Sequence, residues 1–218
     1  MAGSKAPALR LSGISKSYGK VRALDNLSFD VPEGRFFVLF GPSSVGKTTT
    51  LRTIAGLVAT DAGRLEINGH DVTTAPIAGR GVSMVFQSFA LYPHLTVYEN
   101  FAYPLKEEGV GREEIDKRVK ETAAMLKLSH RLERKPNTLS GGEQQRVNIA
   151  HGMITEPAVL LLDEPTASLD AANRRAVVAL ICAARQQGSA IIGIFHDEEV
   201  RAQVATSCLD IGQHRALT

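Results

Sequence analysis

The stretch GPSSVGKTTT, residues 41–50, decides the fold of this chain. It follows the apolar run RFFVLF (35–40) and precedes the periodic segment LRTIAGLV (51–58). It matches the pattern G-x-x-x-x-G-K-[ST] between a predicted buried strand and a predicted helix, which is the context of a phosphate-binding loop. The alternative is a glycine-rich strand-to-helix turn that happens to contain a lysine.

The residue types of this loop suit a triphosphate. Gly41 and Gly46 allow steep turns without a Cβ, so that successive N–H groups converge on phosphate oxygens at a helix N-terminus. Lys47 would then meet the β and γ phosphates, and the Thr48 hydroxyl would coordinate Mg²⁺. The remaining candidate contacts to nucleotide in this loop are Ser43, Ser44 and Thr49.

Composition places the chain among ordinary globular proteins. Its 218 residues are 44% hydrophobic and 22% charged, enough for one domain (1–218) with its own core. The net charge of +2 offers no basic field for nucleic acid, so no nucleic-acid partner is predicted. Cys182 and Cys208 show neither metal spacing nor a disulfide framework, which favours a reducing compartment.

The sequence contains no segment that suggests membrane insertion. The N-terminus MAGSKAPALR (1–10) lacks the apolar core of a secretory signal. No run approaches the roughly 20 apolar residues that a membrane-spanning helix needs. The chain is therefore predicted to be cytoplasmic, and any membrane crossing would belong to other subunits.

Apolar runs along the chain predict an α/β fold. Three of them, ending at Phe40, Asp163 and Phe195, are continuously apolar, which indicates central parallel strands covered on both faces. The earlier strands suggest a partly antiparallel flank. Residues 88–137 differ, because the charged segment 113–128 carries apolar residues at helical spacing, and they predict an inserted helical lobe. The apolar positions are Ile115, Val119, Ala123 and Leu126.

A second site motif is AVLLLDEPTASLD, residues 158–170. It places Asp163 and Glu164 at the end of an apolar strand, where ligands collect in parallel sheets. Asp163 suits the Mg²⁺ shell, and Glu164 could polarise the water that attacks the γ phosphate. Taken alone, the motif is more typical of a strand-ending turn whose charges face solvent, and it is the phosphate loop that favours the site.

The stretch LSGGEQQRV, residues 139–147, predicts an unusual helix start. Ser140 and Glu143 have the spacing of a capping box. Gly141 and Gly142 leave the N–H groups of the first turn uncovered, and such an end attracts anions. An ordinary capped helix explains Ser140 and Glu143, but not two adjacent glycines that each lower helix propensity by roughly 1 kcal/mol.

Together these motifs resemble the nucleotide-binding subunit of ATP-binding cassette (ABC) proteins over nearly the whole chain. The phosphate loop is GPSSVGKT (41–48), the signature motif LSGGE (139–143) and the strand motif LLLDE (160–164). The resemblance implies a P-loop NTPase of ABC ATPase fold, with a mostly parallel core sheet, an antiparallel β flank and an inserted helical lobe. It also implies ATP hydrolysis with Mg²⁺.

Other residues are candidates through this resemblance. Gln87 resembles the Q-loop glutamine that touches Mg²⁺ and the attacking water. His196 resembles the switch histidine at the γ phosphate, and Tyr18 the aromatic residue that stacks on adenine. Residues 168–170 resemble the D-loop, which makes Asp170 a candidate at the nucleotide site.

The resemblance also implies partners. Ser140 and Gly142 of one subunit would cap the γ phosphate held by Lys47 of another, in a head-to-tail homodimer or heterodimer. Gly141, between them, is a further candidate contact to nucleotide. Transmembrane permease subunits would dock on the helical lobe around residues 91–103 and place the chain at the inner face of the membrane.

The two halves of the chain resemble different branches. Residues 18–136 are similar to carbohydrate-importer ATPases, and residues 140–212 to the ABC-type subunit of the phosphonate carbon-phosphorus lyase system. Divergence within a broad family explains this, and so does a recombined or engineered chimera joined near the signature motif. The leading interpretation is the ATPase of a carbohydrate-type importer, and the alternative is a soluble accessory ATPase of a lyase complex.

Three departures from the family pattern stand out. Ser44 and Val45 replace the glycine and small residue that many relatives carry within the phosphate loop. His151 stands where arginine is usual, which alters contacts and no catalytic group. The chain ends soon after CLDIG (208–212), so the C-terminal regulatory domain common in sugar importers is expected to be missing, and dimerisation would depend on nucleotide or partner subunits.

Overall fold

Two sheets carry the strands of this protein. The computed structural model describes residues 6–86, 90–167 and 169–212. The strands are β1 Leu9–Tyr18, β2 Val21–Val31, β3 Phe36–Phe40, β4 Ala62–Ile67, β5 His70–Asp71, β6 Val82–Val85, β7 Val159–Asp163, β8 Ala190–Ile194 and β9 Ser207–Asp210. The order is β2-β1-β4-β5 in one sheet and β6-β7-β8-β3-β9 in the other.

Helices connect and cover these strands. The described helices are α1 Lys47–Ala55, α2 Val97–Glu107, α3 Arg112–Met125, α4 Gly141–Met153, α5 Ala171–Gln186 and α6 Glu198–Val204, with short 3-10 turns at Ser129–Arg131 and Pro136–Thr138. Within the described ranges, no helix has the length and apolarity to cross a bilayer.

The five-stranded sheet is parallel, and its central strands are the three continuously apolar runs. β3 pairs with β8, and β8 with β7, in parallel register. All five residues of β7 and of β8 are buried. Along β7, Leu160 and Leu162 contact one apolar cluster, while Val159 and Leu161 contact another on the opposite face. Because both faces are covered, alternation disappears from the sequence, as predicted.

The four-stranded sheet is antiparallel and forms the predicted flank. β1 lies between β2 and β4. Leu9 and Leu11 of β1 are buried, whereas Arg10 between them points outward and donates two guanidinium hydrogen bonds to its cross-strand partner Asp30. This period of two is typical of a sheet with one buried face. The inner face packs with α1 and the parallel sheet in one cluster.

The apolar cluster on the opposite face of the parallel sheet includes residues of helices α2, α3 and α4. Ile115, Val119 and Ala123 of α3 are buried, as their spacing predicts, and so is Leu126 just after it. They belong to the same apolar cluster as Phe36 of β3. The helical region is thus packed continuously with the sheet.

A buried arginine fixes the end of the helix that follows the phosphate loop. Arg80 is only 6% exposed, and its guanidinium donates to the Ile54 carbonyl at 3.2 Å and to the Ala75 carbonyl at 2.6 Å. A cation at a helix C-terminus complements the dipole of α1. A Cβ on Gly56, which has φ 79°, would lie 2.6 Å from Arg80 Nε, so glycine ends α1 here.

Candidate nucleotide site

A cleft of about 280 Å³ opens at the carboxyl edge of the parallel sheet, beside the N-terminus of α1. This is the edge at which ligands bind in parallel α/β folds. It gathers nine residues that the sequence predicted for the site. The lining residues are Tyr18, Ala23, Ser43, Ser44, Gly46, Lys47, Thr48, Thr49, Glu164, Ile194 and His196.

The phosphate loop has the backbone that its glycines predicted. Gly41 has φ 136° and Gly46 φ 105°. A Cβ on Gly46 would collide with the Ala23 carbonyl oxygen and lie 2.9 Å from Leu24 Cδ2. Only glycine fits there, because the conformation and the space both exclude a side chain. Ser44 also adopts a left-handed φ of 65°, which an L side chain tolerates at a cost of roughly 1–2 kcal/mol.

Lys47 is held by the loop itself. Its Nζ donates to the carbonyl oxygens of Gly41 at 2.7 Å and Pro42 at 2.8 Å. These two hydrogen bonds keep the Lys47 ammonium at the wall of the cleft. A phosphate oxygen that binds Lys47 would therefore replace or share these neutral carbonyl partners, and within the described residues there is no ion pair to break.

Asp163 and Thr48 form the candidate metal-binding pair. Asp163 ends β7 and is 8% exposed. Burial, and then the neighbouring Glu164 charge, raise the pKa of Asp163, while Arg52 and a hydrogen bond from the Thr48 hydroxyl act against that rise. A cation beside this carboxylate would relieve its desolvation.

The donors of this pair fit Mg²⁺. A hydroxyl and a carboxylate are hard oxygen ligands, and Mg²⁺ usually binds proteins through one or two such groups while phosphates and waters supply the rest. Within the described residues there is no group of three His, Cys, Asp or Glu side chains that could hold an ion by themselves.

Glu164 and His196 meet across the cleft. Glu164 Oε1 lies 2.7 Å from His196 Nε2, although the two residues follow different strands. Glu164 has a left-handed φ of 52°, and its N–H donates to the Ile194 carbonyl at 3.1 Å. This conformation turns Glu164 away from Asp163, so the adjacent carboxylates face different partners. Backbone strain of this kind is common at functional sites.

The signature stretch begins a helix as predicted. Ser140 caps α4, its N–H donates to Glu143 Oε2 at 2.8 Å, and its hydroxyl accepts from the Glu143 N–H at 3.3 Å. A Cβ on Gly141 would meet no atom within 4 Å, whereas one on Gly142 would lie 2.7 Å from Asn173 Oδ1. Gly142 is thus needed for the packing of α4 against α5, and Gly141 leaves the helix start open.

The signature residues and Asp170 are not among the lining residues of the cleft. Asp170 instead caps α5, because its Oδ1 accepts from the Asn173 N–H at 2.8 Å and its Oδ2 from Asn173 Nδ2 at 2.9 Å. The cleft therefore brings together residues of the phosphate loop between Ser43 and Thr49 with Glu164, His196 and Tyr18, but not the signature or Asp170. Gly41 and Asp163 do not line it, although Asp163 is joined to it by its hydrogen bond with Thr48. Gln87 and Ser168 lie outside the described residues.

Tyr18 stands at the mouth of the cleft. Its ring is on the surface, 50% exposed, with Lys16 Nζ 5.8 Å from the ring centroid. A half-exposed ring beside a phosphate loop provides a stacking surface for a base.

Sequence reasoning missed two buried amides and one half-buried amide that connect these motifs. Asn148 of α4 donates to the Phe86 carbonyl at 3.3 Å and accepts from the Ala90 N–H at 3.2 Å, so one side chain binds two separate main-chain positions. Gln145 donates to the Pro165 carbonyl at 2.6 Å, next to Glu164. The third is the half-buried Asn173. The sequence signal that could have indicated these contacts is the presence of polar residues among the apolar positions of a helix.

His151 stands where the family usually has arginine, and its ring makes contacts in the protein interior. Its Nδ1 lies 2.8 Å from the Asn100 carbonyl oxygen, and its ring packs edge-on to Tyr92 at 6.0 Å between centroids. Burial lowers the pKa of His151, which favours a neutral ring that donates through Nδ1 to this carbonyl. The substitution thus joins α4 to α2 and touches none of the cleft residues.

The Glu143 carboxylate predicts an acid-dependent loss of stability. Hydrogen bonds from the Ser140 N–H and hydroxyl and from Arg131 lower the pKa of Glu143 to about 2. Since the folded pKa lies below the ordinary value of about 4.3, this carboxylate stabilises the fold above that value and ceases to do so as pH falls towards 2. The linked contribution is about 3 kcal/mol at neutral pH.

We therefore expect Glu143→Gln, which preserves the capping pattern, to lower the free energy of unfolding in urea at pH 7 and to matter progressively less towards pH 2.5. Glu113→Gln changes an exposed carboxylate in the first turn of α3 and is the matched control. Equal effects of Glu143→Gln at both pH values would contradict this assignment.

The fold and the cleft define a P-loop nucleotide-binding domain, with a phosphate loop before α1 and two acidic residues at the end of β7. Within that class, the chain belongs to the ABC transporter family, whose sequence model matches residues 24–167. A solved structure described as "Structure of ATP binding subunit of ABC transporter" has a TM-score of 0.84 and 25% identity, covering 94% of this chain and 87% of that one. The ABC ATPase fold is confirmed.

Curated relatives are import proteins. The chain is 45% identical over 194 residues to the spermidine/putrescine import ATP-binding protein PotA of Vibrio cholerae, covering 88% of this chain and 52% of the relative. It is 47% identical over 167 residues to the maltose/maltodextrin import ATP-binding protein MalK of Photorhabdus laumondii, covering 77% and 45%. The chain thus spans about half the length of these relatives.

A third relative is the molybdate/tungstate import ATP-binding protein WtpC of Pyrococcus abyssi, 48% identical over 162 residues, or 74% of this chain and 47% of that protein. The three names cover a polyamine, a sugar and an oxyanion. They do not single out carbohydrate as the class of solute. They give no support to the phosphonate-lyase resemblance or to a chimera.

Proposed function

We propose that this chain binds and hydrolyses ATP as the nucleotide-binding subunit of an ABC importer. The observation that carries the proposal is the cleft, in which the Lys47 loop, the Thr48–Asp163 pair and the Glu164–His196 pair meet at one edge of the parallel sheet. Family membership and the import names of the relatives support it.

Each part of the cleft has a role in this proposal. Loop N–H groups at the start of α1 bind the phosphates, and Lys47 moves from the Gly41 and Pro42 carbonyls to the β and γ phosphates. Thr48 and Asp163, with Gln87, would hold Mg²⁺, which when bound neutralises phosphate charge. Tyr18 offers its ring to the base.

Glu164 is the proposed general base. It accepts a proton from the water that attacks the γ phosphorus, and the leaving group is ADP. His196, 2.7 Å from Glu164, would donate a hydrogen bond to a γ-phosphate oxygen or to Glu164. The left-handed backbone of Glu164 directs its carboxylate to His196, while Asp163 remains with Thr48.

A second nucleotide-binding subunit would complete the site. Ser140, Gly141, Gly142 and Asp170 do not line the cleft of their own chain, and Gly141 has open space around its Cα. This arrangement supports a head-to-tail dimer, homomeric or heteromeric, in which the start of α4 contacts the γ phosphate of the neighbour.

Membrane partners follow from the import assignment. The proposed location is cytoplasmic, at the inner face of the membrane, with permease subunits docked on a helical lobe of residues 88–137. The solute is one of the small molecules that importers carry, and carbohydrate is one class among those named for the relatives.

Calorimetry and phosphate release test the proposed function. Titration of the chain with ATP and Mg²⁺ should give heat of binding and steady phosphate release, and EDTA should abolish the release. Lys47→Ala should lose about 100-fold or more in ATP affinity, because it removes the cation of the loop. Lys117→Ala, on the exposed side of α3, is the control. Absence of binding heat in the unaltered chain would overturn the proposal.

A further inference from the structure

We propose that Arg174 is a positioning residue that connects the loop before α5 to the turn carrying His196. This inference rests on the proposed function, because it assigns Arg174 to the alignment of His196 with Glu164 for ATP hydrolysis. It concerns a residue of α5 that does not line the cleft.

The Arg174 guanidinium contacts two separate loops. Its Nη1 lies 2.8 Å from Asp197 Oδ2, and its Nη2 donates to the Leu169 carbonyl at 3.3 Å. Leu169 precedes the cap of α5, and Asp197 precedes α6. A planar guanidinium with donors in fixed directions holds both partners at once, which a single ammonium donor does less well.

Asp197 transmits this contact to His196. While Oδ2 of Asp197 receives Arg174, Oδ1 accepts from the N–H groups of Glu199 at 2.9 Å and Val200 at 3.2 Å. The carboxylate is therefore fixed on both sides, and the main chain of the preceding residue is fixed with it. The His196 side chain is 65% exposed, so its direction depends on this main chain and on its contact with Glu164.

The other end of the connection lies beside Asp170. Arg174 donates its own N–H to the Asp170 carbonyl at 2.9 Å, in addition to the side-chain bond to Leu169. Arg174 thus follows movements of the loop between Glu164 and α5 through both main chain and side chain. In the proposed dimer this loop would face the second subunit, so Arg174 would carry the effect of dimer closure to His196.

The Arg174–Asp197 ion pair is partly exposed, so its proposed role in positioning His196 can be tested apart from its contribution to stability. The side chains of Arg174 and Asp197 are 35% and 29% exposed. Ion pairs near the surface contribute little to the free energy of unfolding. Removal of this pair should therefore leave the protein folded and change the alignment of His196.

The experiment compares Arg174→Ala, Asp197→Asn and the double variant in the complete chain. Asn keeps the helix-capping oxygen of Asp197 and removes its charge. We expect each single variant to lower kcat for ATP about tenfold with KM changed less than about twofold, since misplacement of a reacting group affects the chemical step. The double variant should be no slower than either single variant, because both remove one connection.

Two further variants sharpen the comparison. Arg174→Lys keeps the charge opposite Asp197 and should recover part of the lost kcat. Arg175→Ala removes the exposed neighbouring arginine of α5 and should leave kcat unchanged. Fully additive losses, or an equal loss in Arg175→Ala, would overturn the inference.

Nuclear magnetic resonance of the histidine ring protons gives a readout that does not need turnover. The His196 signal, assigned with His196→Ala, should move in Arg174→Ala and in Asp197→Asn, while the His151 signal stays in place. If the unaltered chain shows no ATP turnover but the His196 signal moves, the connection stands and the proposed function fails. If turnover is present and neither kcat nor the His196 signal changes, the inference fails and the function stands.

Discussion

Glu164→Gln is expected to lose about 100-fold or more in ATP turnover, the scale for a positioned general base. The amide keeps the size and one acceptor oxygen of the side chain but cannot take a proton from water. ATP binding should persist, because the Lys47 loop and the Thr48–Asp163 pair are unchanged. Glutamate and glutamine have the same backbone preferences, so the left-handed φ of 52° at position 164 should cost no more in the variant, and the fold should tolerate glutamine.

Phosphate release at saturating ATP measures the loss, and calorimetry with ATP and Mg²⁺ measures retained binding. Glu198→Gln is the matched control, because this carboxylate lies only two residues after His196, is 86% exposed and pairs with Arg201. Turnover of Glu164→Gln equal to that of the control would remove Glu164 from the mechanism.

The core of the fold could be predicted because burial on two faces leaves a distinct sequence pattern. β3, β7 and β8 are apolar along their length except for the buried Asp163 that ends β7, and each strand leads into site residues. The antiparallel flank was predicted from position and composition, while details such as the two-residue β5 have no periodicity to detect. β5 instead pairs with the end of β4 across the two-residue turn of Asn68 and Gly69, so its sequence signal is the turn and not an alternating pattern.

The site was predictable where chemistry is local in sequence. The phosphate loop and the Ser140–Glu143 capping box depend on residues only a few positions apart, and both have the expected geometry. Contacts between distant segments were not predictable, because the residue types alone do not specify their partners. The Arg174–Asp197 pair and the Arg80 contacts with α1 depend on how the helices pack on the sheet.

The predicted roles of the signature residues depend on a second chain. Ser140 and Gly142 have geometries that local packing already explains, through Glu143 and Asn173. A glycine at 141 is not required by contacts within the described part of the chain, since a Cβ there would meet nothing within 4 Å.

Gly46→Ala is expected to disable the phosphate loop. The new Cβ would meet the Ala23 carbonyl oxygen and Leu24 Cδ2 while the backbone keeps φ near 105°. Strain and overpacking should together lower the free energy of unfolding by about 3 kcal/mol. The loop must also move, and loss of two charge-assisted hydrogen bonds to phosphate should weaken ATP binding by about 100-fold or more.

Gly109→Ala separates the two causes, because Gly109 also has a positive φ, of 76°, but a Cβ there would meet no described atom within 4 Å. This control should lose only about 1 kcal/mol of unfolding free energy from backbone strain and none of the ATP affinity. Urea unfolding and calorimetry at a temperature where both variants are folded give the two quantities. Normal ATP affinity in folded Gly46→Ala would mean that the amides of this loop do not bind phosphate, and the site would have to lie elsewhere.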